Sequence, residues 1–202
     1  MRSTDSPARF GLFIRRGFLD AATCAAIRSE ARSAPGNPAP VYIEGSPDPI
    51  DETIRKTTSV QLSDATFSFV HQRLREQRLA LGEHFCLKLT DCERPQILLY
   101  RVGDFFVRHQ DGNTEQLDFD HLRVRKISVV VFLNGTSATL KTDTFRGGSL
   151  VFYRANDNSR GEPQILRLRG ETGLLVAFPA DTVHEVTPVT QGERFTIISW
   201  FR

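Results

Sequence analysis

The sequence is poor in cysteine, and no two of its cysteines form a close pair. Only Cys24, Cys86 and Cys92 occur among 202 residues. An odd number without close spacing argues against both a disulfide framework and a cysteine-based zinc cluster. Because free thiols are typical of reducing compartments, we expect an intracellular, cytoplasmic protein.

Long apolar runs and clustered charges of one sign are also missing. No apolar run approaches the roughly 20 residues of a transmembrane helix. Arg15 and Arg16 are followed by Asp20 and Arg28 rather than by the apolar core of a signal peptide. The formal net charge is only +2 and the arginines are dispersed, so the basic stripe of a nucleic-acid-binding protein is absent. We therefore expect no membrane and no nucleic acid as partners, and the oligomeric state stays unknown.

Tryptophan and tyrosine are scarce, whereas phenylalanine is abundant. The chain has one Trp and three Tyr against fifteen Phe. This composition predicts a core filled by phenyl rings. The length fits one structural domain, and 40% apolar with 25% charged residues are ordinary values for a globular protein.

Residues 1–94 are predicted to form a helical region with a proline-rich loop. Asp20 is the expected N-cap of a helix to about Arg32, and Ser63 that of a long amphipathic helix to about Phe85. Residues 53–62 are a predicted strand. Five prolines lie within 35–49, where helix and strand pairing are both disfavoured. Two interpretations of this segment stay open, a surface linker and a lid over a pocket.

From Pro95 onward the pattern changes to short strand-like runs bounded by Gly, Asn, Asp or Pro. Eight strands are predicted: Gln96–Arg101, Phe105–His109, Val124–Asn134, Ser149–Arg154, Gln164–Arg169, Leu174–Phe178, Val183–Val189 and Arg194–Phe201. The run ISVVVFLN is apolar on both faces, as in a strand between two packed layers. We therefore expect a mainly β (α+β) fold, a sandwich or jelly roll at 95–202 with the N-terminal helices packed outside.

The candidate site begins with His109 and Asp111 in LLYRVGDFFVRHQD. Two residues apart on a strand, their side chains would point to the same face. With a second histidine, for which His184 is the candidate, they would form a two-histidine-one-carboxylate face for an iron-type ion. Each of these residues alone is more often a plain strand or turn residue. Arg194 lies in a later apolar run, where a buried guanidinium needs an anion to offset its desolvation.

Together these motifs resemble the Fe(II)- and 2-oxoglutarate-dependent dioxygenases, in the prolyl 4-hydroxylase-like branch. The matching motifs cover about the last hundred residues in the same order: Tyr100-x-x-Gly103 before His109-x-Asp111, Gly147-Gly148-x-Leu150-x-Phe152, and Phe178 followed by His184-x-x-x-Pro188, Gly192-x-Arg194 and Trp200. The resemblance implies a double-stranded β-helix in which His109, Asp111 and His184 bind a catalytic Fe(II). It also implies 2-oxoglutarate as the cosubstrate, with contacts from Arg194 and Tyr100. Thr196, two residues beyond Arg194, shares its face and would add a hydroxyl donor.

The reaction implied by the resemblance is hydroxylation of an unactivated C–H bond with consumption of O2 and release of succinate and CO2. Ascorbate is implied only as a family cofactor. The substrate is a peptidyl or amino-acid side chain or another small molecule, and the sequence does not separate these. Arg108, Arg123, Arg154 and Arg160 give weak support to an acidic or carboxylated substrate. The loops at 112–123 and 135–147 carry no substrate signature.

Two alternatives stay open beside the hydroxylase. One is a non-catalytic jelly-roll sensor that binds metal and ketoacid, and the other is an iron enzyme that ignores 2-oxoglutarate. The complete ligand set argues against the first, and Arg194 would be unexplained in the second. The remaining polar and aromatic candidates are expected to be solvated, helix-surface, pocket-wall or core residues: Asp104, Asp118, Asp120, His121, His71, His84, Phe178 and Trp200.

Overall fold

The structure is a computed structural model that describes residues 7–41, 49–112, 124–139, 142–155 and 163–202. Three α-helices lie within these ranges: α1 Ala21–Ser33, α2 Asp64–Arg75 and α3 Arg78–Phe85. Fourteen strands follow in chain order: β1 Phe13–Arg15, β2 Gly36–Pro38, β3 Arg55–Lys56, β4 Thr58–Val60, β5 Gln96–Tyr100, β6 Phe105–His109, β7 Ile127–Phe132, β8 Arg146–Gly147, β9 Leu150–Arg154, β10 Gln164–Leu168, β11 Leu175–Pro179, β12 His184–Val186, β13 Val189–Gln191 and β14 Arg194–Phe201.

The strands form antiparallel sheets. The large sheet has the order β1-β11-β7-β14-β5-β4-β2, and the small sheet has the order β10-β9-β12-β6-β3. A two-stranded ribbon pairs β13 with β8. This arrangement confirms the mainly β prediction and, with the structural relatives described below, the jelly roll. The N-terminal residues contribute β1 to β4 to the sheets as well as the helices.

Two apolar layers hold these elements together. In β7, Val129 and Val131 belong to a cluster shared with the helices, whereas Val130 and Phe132 belong to a cluster shared with the small sheet. Every residue of β7 is buried, which confirms the prediction that this strand lies between two packed layers. The large sheet therefore has the helices on one face and the small sheet on the other.

Both predicted helix starts are confirmed by their caps. Asp20 accepts a hydrogen bond from the Thr23 amide, and Ser63 accepts one from the Thr66 amide. The single long helix expected at 64–85 is wrong, because the chain forms α2 and α3 instead. At the break, the Gln77 amide donates to the Leu74 carbonyl, three residues back, at 2.8 Å. None of the three described helices is long and apolar enough to cross a lipid bilayer.

Several strands have other bounds than predicted. Within 35–49, Gly36–Pro38 pairs with β4 as an edge strand, a position that tolerates proline because its outer side needs no partner. Residues 42–48 and 113–123 lie outside the described ranges, so the choice between a linker and a lid for 35–49 stays open. The predicted strand at 53–62 forms β3 and β4, and the one at 183–189 ends at Val186.

Two of the three thiols are predicted to resist modification in the native protein. Burial raises the pKa of Cys24 and of Cys92 to about 11, so little reactive thiolate is present near neutral pH. Cys86 is exposed. We expect Ellman's reagent to titrate one thiol rapidly in the native protein and all three after denaturation. The rapid phase should disappear in Cys86→Ser, and rapid release of a second equivalent from the native chain would contradict this packing.

Candidate metal centre

His109, Asp111 and His184 converge at one end of the small sheet. His109 is the last residue of β6 and pairs directly with His184, the first residue of β12. The His109 Nε2 atom lies 3.5 Å from Asp111 Oδ1, and His184 Nε2 lies 3.6 Å from Asp111 Oδ2. One ligand atom from each of the three residues lies within 4.8 Å of the others. The structure thus brings together the three side chains that the sequence singled out.

Strand alternation, however, does not explain how Asp111 arrives there. Asp111 lies beyond the end of β6, and its amide and that of Gly112 both donate to the Ala180 carbonyl, at 2.9 and 3.1 Å. Ala180 belongs to the segment that leads from β11 to His184. The same connection therefore fixes the carboxylate and the second histidine.

A bulge in β6 sets the surroundings of His109. Across β12, His184 pairs with His109 while Val186 pairs with Phe106, so β6 has one extra residue between the pairs. Such a bulge moves Phe106 onto the face of His109. The two rings stack with centroids 3.5 Å apart and planes at 15°. Strict alternation along the sequence would have placed Phe105 and Val107 there instead.

Both imidazole rings are oriented by backbone carbonyls. His109 Nδ1 lies 2.8 Å from the Val107 carbonyl, and His184 Nδ1 lies 2.9 Å from the Thr182 carbonyl. A carbonyl oxygen only accepts, so each Nδ1 carries the proton. In the neutral form of each ring, Nε2 is then the unprotonated nitrogen and faces Asp111, as in metal-ligating histidines whose other nitrogen is hydrogen-bonded.

The electrostatics keep the carboxylate charged and the buried histidine neutral. Burial alone would raise the pKa of Asp111, but His184, His109 and the Ser128 hydroxyl hold that pKa well below its ordinary value. Ser128 Oγ donates to Asp111 Oδ2 at 2.6 Å. Burial, reinforced by His109, lowers the pKa of His184 to about 4. Near neutral pH the cluster thus contains one negative charge and neutral His184.

This donor set fits a ferrous ion. Two imidazole nitrogens and a carboxylate oxygen face one another, and no described residue places a donor against either Nε2 atom. Acceptors gathered in this way repel one another unless a cation lies between them. Two histidines and one carboxylate on one side, with positions left open, are the ligand set of non-haem iron(II) oxygenases.

Arg125 anchors the backbone of Asp111, a role that the sequence did not reveal. Its Nη1 atom donates to the Asp111 carbonyl at 3.3 Å, and its guanidinium pairs with Glu93 at 2.7 Å. The same guanidinium stacks over the Trp200 ring at 3.6 Å. Trp200 thus supports a cation behind the metal cluster rather than contacting the ligands.

Arg194, Tyr100 and Thr196 line the facing side of the large sheet. Arg194 pairs with Tyr100 across β14 and β5, and its guanidinium lies 4.8 Å from the Tyr100 ring centroid. Its Nη1 atom donates to Thr196 Oγ1 at 3.2 Å, while Nε has no partner among the described residues. Burial lowers the pKa of Arg194 to about 10, so it stays cationic near neutral pH. A buried guanidinium without a carboxylate partner is a site for an anion.

Gly148 contacts Arg194 directly. Its φ is +55°, and a Cβ added there would lie 2.9 Å from the Arg194 Cδ atom. A turn alone would be a sufficient reason for Gly147-Gly148. The structure adds that glycine is required at 148 because the arginine side chain packs against its backbone.

The other described sequence candidates give no ligand atom to this cluster. His71 is not a free surface residue, because its Nε2 atom lies 3.1 Å from the Cys92 carbonyl. His84 packs against phenyl rings. Asp104 accepts a hydrogen bond from the Arg101 amide in a turn, and Phe178 packs edge-on against His184 at 4.7 Å. Asp118, Asp120 and His121 lie outside the described residues.

A jelly roll with this cluster between its sheets defines the class of mononuclear non-haem iron oxygenases. Within that class, the family model of the 2OG-Fe(II) oxygenase superfamily matches residues 95–202. The match covers more than half of the chain, and the chain belongs to this superfamily.

Individual relatives agree with this assignment. A PKHD-type hydroxylase of Shewanella sp. (strain ANA-3) is 34% identical over 100 residues, which are 48% of this chain and 41% of the relative. The match thus spans about two fifths of that relative's length. A prolyl-4-hydroxylase structure from Pseudomonas putida aligns with a TM-score of 0.70 and 25% identity, covering 97% of this chain and 94% of the other. A Trichoplax adhaerens prolyl hydroxylase, solved with a peptide fragment of hypoxia inducible factor, shares the fold, with a TM-score of 0.69, 16% identity and coverage of 96% and 84%.

Metal binding is predicted to depend on Asp111. Because the ligand atoms already converge, saturating Mn²⁺, or ferrous iron without oxygen, should raise the melting temperature by about 5–10 °C. Asp111→Ala should abolish this rise, since it removes the only carboxylate that the described part of the chain places between the two imidazoles. Asp181→Asn is the matched control, because Asp181 is an exposed neighbouring carboxylate outside the cluster. An unchanged rise in Asp111→Ala would place the metal elsewhere.

Proposed function

We propose that the chain is an Fe(II)- and 2-oxoglutarate-dependent dioxygenase that hydroxylates an unactivated C–H bond. One observation carries the proposal. The three acceptors of His109, Asp111 and His184 lie between the two sheets together with Arg194, a buried arginine that has no carboxylate partner among the described residues. The superfamily membership and the likeness to named hydroxylases support the same reaction. A peptidyl or amino-acid side chain, or another small molecule, is the proposed substrate.

In this proposal, His109, Asp111 and His184 hold the iron. Their side chains differ in exposure, at 17% for His109, 14% for Asp111 and 5% for His184. The cluster is therefore more accessible from the side of His109 and Asp111 than from that of His184. The rings of Phe106 and Phe178 flank the two histidines and would keep water away from the reacting groups.

Arg194 would bind the distal carboxylate of 2-oxoglutarate. A guanidinium offers parallel donors that match two carboxylate oxygens, and this anion would neutralise the buried charge. Thr196 holds one guanidinium nitrogen in place and would add a hydroxyl contact. Tyr100, beside the same guanidinium, would close the pocket and contact the cosubstrate.

With both groups bound, the centre supplies oxidation: 2-oxoglutarate and O2 are converted to succinate and CO2, and the second oxygen atom enters the substrate C–H bond. The protein's part is binding and orientation. Asp111 stays ionised and moves no proton, and each histidine keeps its Nδ1 proton on a backbone carbonyl. Ascorbate would serve as the reductant that restores ferrous iron.

We further propose a division of labour along the chain. Residues 95–202 would form the catalytic core, and residues 1–94 would pack helices on its outer face, extend its sheets with β1 to β4 and cover its mouth. The apolar cluster that joins α1, α2 and α3 to the large sheet supports this division. Three free cysteines are in keeping with a reducing, cytoplasmic setting.

Succinate release is the direct test of the reaction. Purified protein with Fe(II), ascorbate and 2-oxoglutarate should form succinate, and His109→Ala or Asp111→Ala should abolish it by removing a ligand. His84→Ala is the control, because that histidine packs against phenyl rings away from the cluster. Succinate formation that survives both ligand variants would refute the proposal. Tight binding of metal and ketoacid without oxygen consumption would indicate the non-catalytic sensor instead.

The packing of Gly148 against Arg194 generates a second prediction. Arg194→Met should raise the KM for 2-oxoglutarate about 100-fold, since charge-assisted hydrogen bonds worth ~3 kcal/mol are lost. Gly148→Ala should raise it about tenfold by displacing the guanidinium. Gly11→Ala is the matched control, with a similar φ of +63° and no heavy atom within 4 Å of the added Cβ. A KM unaffected by Arg194→Met would support an iron enzyme that ignores 2-oxoglutarate.

A further inference from the structure

A second buried guanidinium, that of Arg55, lies beside the metal cluster. Arg55 starts β3, at the edge of the small sheet, and pairs with Phe106 of β6. Its guanidinium lies 4.9 Å from the Phe106 ring centroid, and that ring stacks on His109. The cation is thus separated from a proposed iron ligand by a single phenyl ring.

One edge of this guanidinium has no hydrogen-bond partner. Nη1 donates to the Pro40 carbonyl at 3.0 Å, whereas Nε and Nη2 are buried and unpaired among the described residues. These two nitrogens form the side-on edge of the group, whose parallel N–H bonds match the two oxygens of a carboxylate. The residue as a whole is only 8% exposed, so water does not satisfy these donors.

Arg55 lies beside the site, because the Phe106 ring under its guanidinium stacks on His109. Tyr100 and Asp111 are close enough to Arg55 to act on its charge, and Tyr100 acts on Arg194 as well. Burial lowers the pKa of Arg55, yet a guanidinium keeps its proton in proteins. The two arginines therefore place two positive charges around Tyr100.

A third buried arginine, Arg28, shows how this fold neutralises a buried guanidinium that has a structural role. Arg28 is also buried, but Asp143 lies 3.1 Å from its Nη2 atom. Among the described residues, neither Arg55 nor Arg194 has a carboxylate within ion-pairing distance. An unpaired buried charge is costly, so each of these two positions calls for its own anion.

With iron and 2-oxoglutarate bound, the site would keep one positive charge that no anion neutralises. A ferrous ion, the Asp111 carboxylate and the two guanidinium groups together carry three positive charges, of which the 2-oxoglutarate dianion neutralises two. A substrate with a single carboxylate would neutralise the third. Such charge complementarity favours substrates with a carboxylate over neutral molecules of similar shape.

We propose that Arg55 is a specificity-determining residue that binds the carboxylate of the substrate, which is a small carboxylic acid of net negative charge. The proposal rests on the proposed function, whose substrate class it names. A residue inside a peptide, unless it is Asp or Glu, lacks a free carboxylate and would leave the Arg55 edge unpaired, at a cost that rejects it. Arg108 does not serve this purpose, because it stacks on Tyr153 at 3.8 Å and is well exposed.

Acetate is a suitable probe because it carries the proposed group and little else. The whole ¹⁵N-labelled chain is loaded with Zn²⁺, a redox-inert stand-in for iron, and with 2-oxoglutarate, and titrated with acetate or with neutral acetamide. We expect acetate alone to shift the Arg55 Nε–H resonance saturably. Arg55→Met should weaken acetate binding about tenfold, by loss of the bidentate pair. Arg55→Lys keeps the charge without the paired donors and should also weaken it.

Two controls make the result decisive. Arg108→Met removes a ring-stacked arginine from the neighbouring strand surface and should leave acetate binding unchanged, and Arg55→Met should leave the Kd of 2-oxoglutarate within about twofold. Equal acetate binding by Arg55→Met and the parent chain would overturn the proposal. So would a loss of 2-oxoglutarate affinity as large as that of Arg194→Met, which would assign Arg55 to the cosubstrate. A chain that binds no 2-oxoglutarate would instead refute the proposed function, and acetate titration of the Zn²⁺ form would still test Arg55.

Discussion

The imidazole rings of His109 and His184 and the carboxylate of Asp111 lie within a few ångströms of one another. Much of the surrounding structure holds these acceptor groups in place against their mutual repulsion. Backbone carbonyls fix both ring tautomers. The Ala180 carbonyl receives the amides that follow β6, and Arg125 holds the Asp111 carbonyl from behind. Each of these contacts is made by backbone or by a group that is itself paired. The cluster is therefore pre-organised for a cation rather than assembled by it.

The site divides between the two sheets. The small sheet carries the proposed iron ligands and Arg55, and the large sheet carries Arg194, Tyr100 and Thr196 on its inner face. The alternate residues of β14, Phe195 and Ile197, pack toward the helices. Helices on the outer face stiffen the strand that holds Arg194, so two rigid surfaces define the space between them.

The three buried arginines of the described residues differ in whether a carboxylate pairs with them. Arg28 pairs with Asp143 and joins α1 to the loop before β8, which is a structural use of the charge. Arg55 and Arg194 lack such partners, so their burial costs free energy in the free protein. Binding an anion at each would recover that cost, which makes these two positions selective for carboxylates over neutral groups of the same shape.

Much of this protein was readable from its sequence: the mainly β fold, the caps at Asp20 and Ser63, the doubly buried β7, and the side chains that meet at the metal cluster. These features depend on local periodicity, capping chemistry and residue type, which a linear chain displays. The tertiary structure decided the rest. The β6 bulge, the Gln77 break, the Gly148 contact and the Arg125 anchor arise from pairing between distant segments. Arg55 in particular looks like any solvated arginine until β3 pairs with β6, because burial and the lack of a partner are properties of packing that no local pattern encodes.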